Sequence, residues 1–215
     1  MIGHAVPYLI MLIAGGIALW RDAPYATLPI LIMMVLWYSV RVYHVGGQSN
    51  SVKFEKDGGR ERPLASLVGV GMTVLPVLAL VLPPADLLAY SGFPGQLTSG
   101  VIIGLVGTYV FWCAHRDLGQ NWSAHLEIRE EHKLITAGIY GRVRHPMYSA
   151  IFLLTLSQTF MLTNWVAGPA GLVFFSLLYA TRIRPEEAMM QDQFGQQWVD
   201  YASKTPRLIP KMTAN

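Results

Sequence analysis

Two short stretches of this chain concentrate side chains whose types and spacing could do chemistry. The first is Glu130-Glu131-His132-Lys133-Leu134-Ile135-Thr136-Ala137-Gly138-Ile139-Tyr140-Gly141-Arg142-Val143-Arg144-His145-Pro146-Met147-Tyr148. Gly138 and Gly141 allow positive φ and a close backbone approach to a ligand. Pro146 suits the first position of a following helix, because its missing N–H would be unpaired there in any case. His145 then falls at the cap. The spacing predicts that Arg144, His145 and the free N–H groups of that helix start form a site for a carboxylate or other anion. Either arginine alone would do no more than anchor the loop to anionic headgroups. The whole constellation, with Tyr140, Tyr148 and the His-Pro step, reads as a ligand site.

The second stretch is Arg182-Ile183-Arg184-Pro185-Glu186-Glu187. A proline followed by two acids predicts a helix start, with the acids compensating the dipole. If the helix runs through instead, Arg182 and Glu186 are four apart and share a face. Beyond it, Met190, Phe194, Trp198 and Tyr201 recur at helical spacing, which suits a helix in the bilayer interface or one packed on the protein's own spans. His4 and His44 read as interfacial, and His115 as interfacial or facing a loop. No histidine pair has metal-ligand spacing and Cys113 is the only cysteine, so no metal site and no internal disulfide are expected.

The elements that must position these groups follow from charge spacing. Of 215 residues, 53% are hydrophobic and 13% charged. Stretches without Asp, Glu, Lys or Arg run 1–20, 23–40, 63–85, 87–115 and 145–181. About 20 apolar residues in a helix cross a hydrocarbon core of about 30 Å, so the last stretch can cross twice. This excludes an ordinary soluble enzyme, a secreted disulfide scaffold and a disordered tail. The expectation is an all-α polytopic membrane bundle of five to six spans, at about 2–20, 25–43, 64–82, 97–114, 147–163 and 165–181. The N-terminus lacks a basic n-region, so 2–20 reads as a retained span. Residues 147–181 read as a tight C-terminal hairpin turning at Asn164, with the polar side of its first helix packed on other helices. Gly100 and Gly104 are spaced for a close helix contact.

Fifteen of the 16 Lys and Arg fall in 41–63, 115–146 and 182–215; only Arg21 lies elsewhere. With six passes these three segments share one face, which the positive-inside rule makes cytosolic. The positive charge is thereby assigned to the membrane, and no nucleic-acid partner is expected. The hairpin should then bring Arg182 and Glu186 back beside Arg144 and His145. A cation pocket beside an anion pocket there would suit a zwitterionic cofactor and a lipid-borne acid.

At these residues the sequence resembles the isoprenylcysteine carboxyl methyltransferase family, and more loosely the wider group that includes phospholipid N-methyltransferases. The resemblance covers roughly 115–210 and rests on His132-x-Leu134, Gly138-x-Tyr140, Arg144-His145-Pro146-x-Tyr148, Asn164, Arg182-x-x-x-Glu186-Glu187, Phe194-Gly195 and Tyr201, in that order. It implies S-adenosylmethionine as methyl donor in a cytosol-facing pocket closed by C-terminal segments. Carried over by position, the cofactor contacts are His132, Lys133, Leu134, Ile135, Tyr140, Arg144, His145, Pro146, Met147, Tyr148 and Glu186, with His125 standing where the family can have a Gln. Arg182 matches the arginine that binds the substrate carboxylate, with Glu187 and Asn164 as further catalytic candidates. The resemblance divides one domain, 1–215, into N-terminal spans (1–114) and a cofactor-binding and catalytic region (115–215). The chain is shorter than the eukaryotic enzymes, with Ile139 and Pro185 at variable positions.

The implied reaction is methylation of a carboxylate on a lipid-like or prenylcysteine-like acceptor. A carboxylate is already ionised near pH 7, so positioning and charge placement carry the rate. An acceptor amine or small thiol, as in a phospholipid methyltransferase, would need a deprotonating group, with Glu187 or His115 the nearby choices. An NADPH-dependent membrane reductase of similar architecture is the other enzymatic alternative, and a non-catalytic lipid-binding protein the third. The expected location is a membrane with the site facing the cytosol, a bacterial inner membrane in preference to the endoplasmic reticulum.

Overall fold

The structure, a computed structural model, describes residues 2–20, 27–45, 52–55, 61–119, 127–129 and 134–211. Its helices are α1 (Ile2–Trp20), α2 (Thr27–Val45), α3 (Glu61–Gly69), α4 (Leu75–Val81), α5 (Gln96–Leu118), α6 (Pro146–Met161), α7 (Ala167–Phe194) and α8 (Gln196–Lys204). A π-helical turn, Val70–Val74, joins α3 to α4, so these form one rod. Among the described residues, three segments are long and apolar enough to cross a membrane: Thr27–His44, Pro63–Val81 and Gln96–Leu118. The helical expectation needs one addition. A two-stranded antiparallel ribbon pairs β1 (Val52–Glu55) with β2 (Glu127–Arg129).

That ribbon ties the loop after α2 to the loop after α5. The chain beyond α8 is hydrogen-bonded to the start of α6, through Arg144 N–H to the Pro206 carbonyl at 2.8 Å and His145 N–H to the Arg207 carbonyl at 3.0 Å. The three basic segments therefore meet at one end of the bundle. At the other end, the connection after α4 pairs with the α6–α7 turn: Tyr90 N–H donates to the Thr163 carbonyl (3.0 Å) and Trp165 N–H to the Leu88 carbonyl (2.9 Å).

Lipid removes the usual hydrophobic drive between helices, so close packing and buried polar contacts replace it. Leu12, Ile32, Ile102, Leu105 and Val173 point outward, whereas Thr155, Ser157 and Gln158 of α6 are buried. The polar side of this helix does face its neighbours. Ser157 Oγ donates to the Gly100 carbonyl at 2.7 Å, and Gln158 Nε2 reaches the carbonyls of Gly71 and Ala167, both at 2.8 Å. One buried amide thus joins α6, α7 and the π-helical turn. Gly100 and Gly104 line the α5–α6 seam, where an added Cβ would lie 2.6 Å from Met161 and 2.5 Å from Ser157.

The start of α7 is fixed by Asn164, whose Oδ1 accepts the N–H groups of Val166 (3.0 Å) and Ala167 (2.9 Å) while Nδ2 donates to the Ala85 carbonyl (3.0 Å). The hairpin turn thus falls where Asn is favoured. Of the two readings at Pro185, the helix start is not found and the continuous helix is: Pro185 lies inside α7. At 28 residues α7 is about 42 Å long, so its last turns project beyond a hydrocarbon core of about 30 Å.

Gly71 tests this packing. A Cβ there would lie 2.9 Å from both Ala170 C and Gly171 N of α7, backbone atoms that cannot rotate aside, while Gly69 has open space. Gly71→Ala should destabilise the protein in detergent by about 1–3 kcal/mol. Gly69→Ala, in the same rod, should leave the unfolding midpoint unchanged or raise it, since alanine is the better helix former.

Candidate functional site

The start of α6 and the projecting end of α7 meet through His145. It caps α6 in a non-helical conformation (φ −126°, ψ 60°), with Pro146 following at the first helical position. Its buried imidazole stacks on Tyr148 and faces a carboxylate on each edge: Nδ1 is 3.6 Å from Glu186 Oε1 and Nε2 is 3.2 Å from Glu187 Oε1. A carboxylate only accepts hydrogen bonds, so the contact to Glu187 calls for a proton on Nε2, and the Glu186 carboxylate 3.6 Å from Nδ1 favours a second proton there. With an acid on each edge of the ring, the imidazolium form of His145 is favoured over the neutral one.

The remaining bonds extend outward. Glu186 accepts from the Tyr148 hydroxyl and from Arg182 Nε at 3.4 Å, four residues back along α7. Glu187 accepts Arg144 Nη2 at 2.9 Å and Arg207 Nη2 at 2.6 Å. Arg144 also donates through Nη1 to the carbonyls of Ala202 and Thr205, and Ser149 Oγ donates to the Leu208 carbonyl at 2.6 Å. Residues 202–208 thus form a strap across the start of α6. With His145 protonated, four cationic groups (Arg144, His145, Arg182 and Arg207) face two carboxylates, an excess of two positive charges.

These contacts reshape the titrations. Burial on its own would lower His145; its bonds to Glu186 and Glu187 outweigh this and raise it. Burial would raise Glu186, but the bond from His145, the charges of His145 and Arg182 and the Tyr148 hydroxyl hold it down at about 2. Glu187 is also desolvated, and His145, Arg207 and Arg144 still pull it well below the usual carboxylate range.

The sequence-derived residues divide as follows. Arg144, His145, Tyr148, Arg182, Glu186 and Glu187 form this cluster. Tyr140 is buried in the turn just before it, its carbonyl accepting the Tyr201 hydroxyl at 2.6 Å. Pro146 starts α6, Leu134 and Ile135 are half-buried, and Met147 packs against the core formed by Met72, Phe111, Ala150 and Leu154. His125, His132 and Lys133 lie outside the described residues. Asn164 is not brought to the cluster. The 16 residues of α6, about 24 Å, separate its turn from His145, and its side chain is taken up by capping α7. His115 is buried against Phe111 and His44.

Two further expectations change. The N–H groups of Arg144 and His145 are taken by the strap's carbonyls and are not free for an anion. Gly138 has positive φ (+62°), whereas Gly141 is not among the glycines that do. Sequence reasoning missed Arg207 and the strap. Arg207 stands out only as the last arginine of a basic tail, and backbone carbonyls carry no sequence signature. Trp198 is buried and Tyr201 bonds inward, so α8 packs on the protein itself.

A helical membrane protein with a cationic site at one end of the bundle is the class that fold and site define. A family model for the isoprenylcysteine carboxyl methyltransferase (ICMT) family matches residues 100–192. Protein-S-isoprenylcysteine O-methyltransferase of Schizosaccharomyces pombe is 30% identical over 178 residues, covering 77% of this chain and 73% of that protein. Protein-S-isoprenylcysteine O-methyltransferase B of Arabidopsis thaliana is 35% identical over 113 residues, 52% of this chain, and the match spans 57% of the plant protein's length. The solved structure of the eukaryotic intramembrane Ras methyltransferase ICMT superimposes with a TM-score of 0.65 over 97% of this chain and 75% of its own, at 21% identity, a likeness of fold. The chain belongs to the isoprenylcysteine carboxyl methyltransferase family. These relatives are eukaryotic and lend no support to the expected bacterial inner membrane.

The titrations fix a pH dependence. His145, raised above its usual 6.5, contributes stability that is complete below 6.5 and lost as pH rises through its folded value. Glu186 and Glu187, held below 4.5, contribute stability present above 4.5 and lost as pH falls through their folded values. The stability difference between wild type and Glu187→Gln, measured by unfolding in detergent, should be about 3 kcal/mol between those limits and shrink on either side.

Proposed function

We propose that this protein is an integral membrane methyltransferase that uses S-adenosylmethionine to methylate a carboxylate on a lipid-like or prenylcysteine-like acceptor. The observation that carries the reading is the excess of two positive charges around Glu186 and Glu187, at the membrane end of a hairpin inside the family-matched segment. The donor set fits the cofactor. Its ammonium needs an ionised acid, and Glu186, with a quarter of its side chain exposed, offers one that stays ionised at any ordinary pH. Its carboxylate needs a cation, and the His145 imidazolium stands beside that acid. Tyr140, Tyr148, Leu134 and Ile135 would complete the wall, with His125, His132 and Lys133 assigned by resemblance. When bound, the cofactor would supply an electrophilic methyl group to an acceptor carboxylate that is already ionised, so no residue of this chain need take up a proton.

Arg182 would hold the acceptor carboxylate, a planar bidentate grip that lysine cannot reproduce. Arg144, Arg207 and the strap hold Glu187, and Glu187 in turn holds His145. Glu187 therefore works as a clamp. A general base needs an affinity for protons near the working pH, and three cationic partners remove it from Glu187. That weighs against an acceptor amine or thiol. The apolar tail would enter between helices from the bilayer while the cofactor arrives from the side of the basic loops, which we assign to the cytosol by the positive-inside rule. On this topology the chain would make five or six passes.

Purified protein in detergent should bind S-adenosylmethionine, or its demethylated product, by calorimetry. Glu186→Ala should abolish binding. Arg182→Ala should retain it and lose at least about a hundredfold in turnover of a farnesylated cysteine acceptor. Binding of NADPH with none of S-adenosylmethionine would overturn the assignment, and equal loss of binding and turnover in Arg182→Ala would contradict the role given to that residue.

A further inference from the structure

A carboxylate outside the cluster is built into the turn that precedes it. Asp117 lies one residue from the end of α5. Its Oδ1 accepts Arg116 Nε at 2.7 Å, and the Arg116 guanidinium is itself held over the Trp112 ring at 4.8 Å. Its Oδ2 accepts the Ile139 N–H at 2.9 Å, 22 residues along the chain. The carboxylate also lies against Gly138. There φ is +62°, and an added Cβ would stand 2.1 Å from Oδ2 and 2.7 Å from Cγ. Left-handed backbone and lack of space independently demand glycine at this position.

The bond to the Ile139 N–H fixes the residue whose own carbonyl closes the turn that follows. The Ile139 carbonyl accepts the N–H groups of Arg142 (3.0 Å) and Val143 (3.1 Å), which closes the turn Gly138–Gly141. Tyr140, inside that turn, is buried, with its hydroxyl 3.5 Å from the Ala114 carbonyl of α5 and its carbonyl taken by Tyr201 of α8. Arg144 and His145 emerge directly from the turn. Asp117 is thus the side chain through which the rigid end of α5 sets the backbone leading into the site. Neutralising Arg116 alone would not require the reach to Ile139, nor the contact with Gly138.

We propose that Asp117 is a positioning residue for the cofactor: by holding Ile139 N–H against Gly138 it fixes the wall formed by Leu134–Tyr140. This rests on the methyltransferase reading above. It touches neither the acceptor nor the transferred methyl, so its loss is read in cofactor affinity and not in the chemical step. Asp117→Ala should raise KM for S-adenosylmethionine about tenfold, with kcat and the acceptor KM within about twofold. Asp117→Asn keeps an oxygen for the Ile139 N–H and should recover most of the affinity. A merely structural role would lower the active fraction, and hence apparent kcat, with KM unchanged; that result overturns the proposal.

Hydrogen exchange supplies an arm that needs no cofactor. Asp117→Ala should speed exchange across 134–143 and leave the interior of α6 protected, whereas unchanged exchange in that segment overturns the proposal. If wild-type protein binds no S-adenosylmethionine, the functional reading fails and the cofactor role of Asp117 with it. If wild type binds and Asp117→Ala binds equally well, the failure belongs to this inference alone.

Discussion

One imidazole ring, fixed between two carboxylates, governs the arrangement at the membrane end of this protein. His145 comes from the start of α6 and its partners Glu186 and Glu187 from the far end of α7, more than 40 residues later. Holding two acids side by side in a partly desolvated place is unfavourable unless cations separate them. His145 does so from between, with Arg182, Arg144 and Arg207 on the outside. Because Glu187 is shared with Arg144 and Arg207, the same acid that fixes the ring also secures the strap from Ala202 to Leu208. Removing any one member strands the charge of another, so the cluster behaves as a unit.

That unit needs the hairpin beneath it to be rigid. In a bilayer, rigidity comes from close backbone approach and from buried polar groups that find internal partners. Gly71, Gly100 and Gly104 provide the approach, and Ser157 and Gln158 the hydrogen bonds. Asn164 closes the distant end of the same hairpin. The polar residues of α6 therefore form a gradient of purpose, from a structural cap at one end, through packing contacts, to charge chemistry at the other.

Much of this was legible in the residues. The charge-free run 145–181 is too long for one pass and carries an asparagine near its middle, which is enough to predict a hairpin and so the meeting of His145 with Glu186. The sorting of lysine and arginine predicted that three segments share an end, and the β1–β2 ribbon and the strap join them there. Pro185 leaves two readings open in the sequence, a helix start or a helix running through, and its residue type favours the start. Here the helix passes through it, with the Arg182–Glu186 bond and the packing of α7 outweighing one missing N–H. Asn164 matched a pattern of functional residues, yet its amide is occupied in capping. The strap could not be read at all, since apart from the Arg207 guanidinium it acts through backbone carbonyls, from Ala202 to Leu208. Asp117 was equally hidden: its partner is a backbone N–H 22 residues away.

The protonation of His145 is the most direct measure of whether the cluster exists as described. Nitrogen NMR of protein labelled at the histidine ring, in lipid or detergent at pH 7, distinguishes an imidazolium from either neutral tautomer. The arrangement predicts that both ring nitrogens of His145 carry a proton at pH 7 and that one is lost in Glu187→Gln. A neutral His145 with a single protonated nitrogen in the wild-type protein would contradict the bridging of Glu186 and Glu187 on which the rest depends.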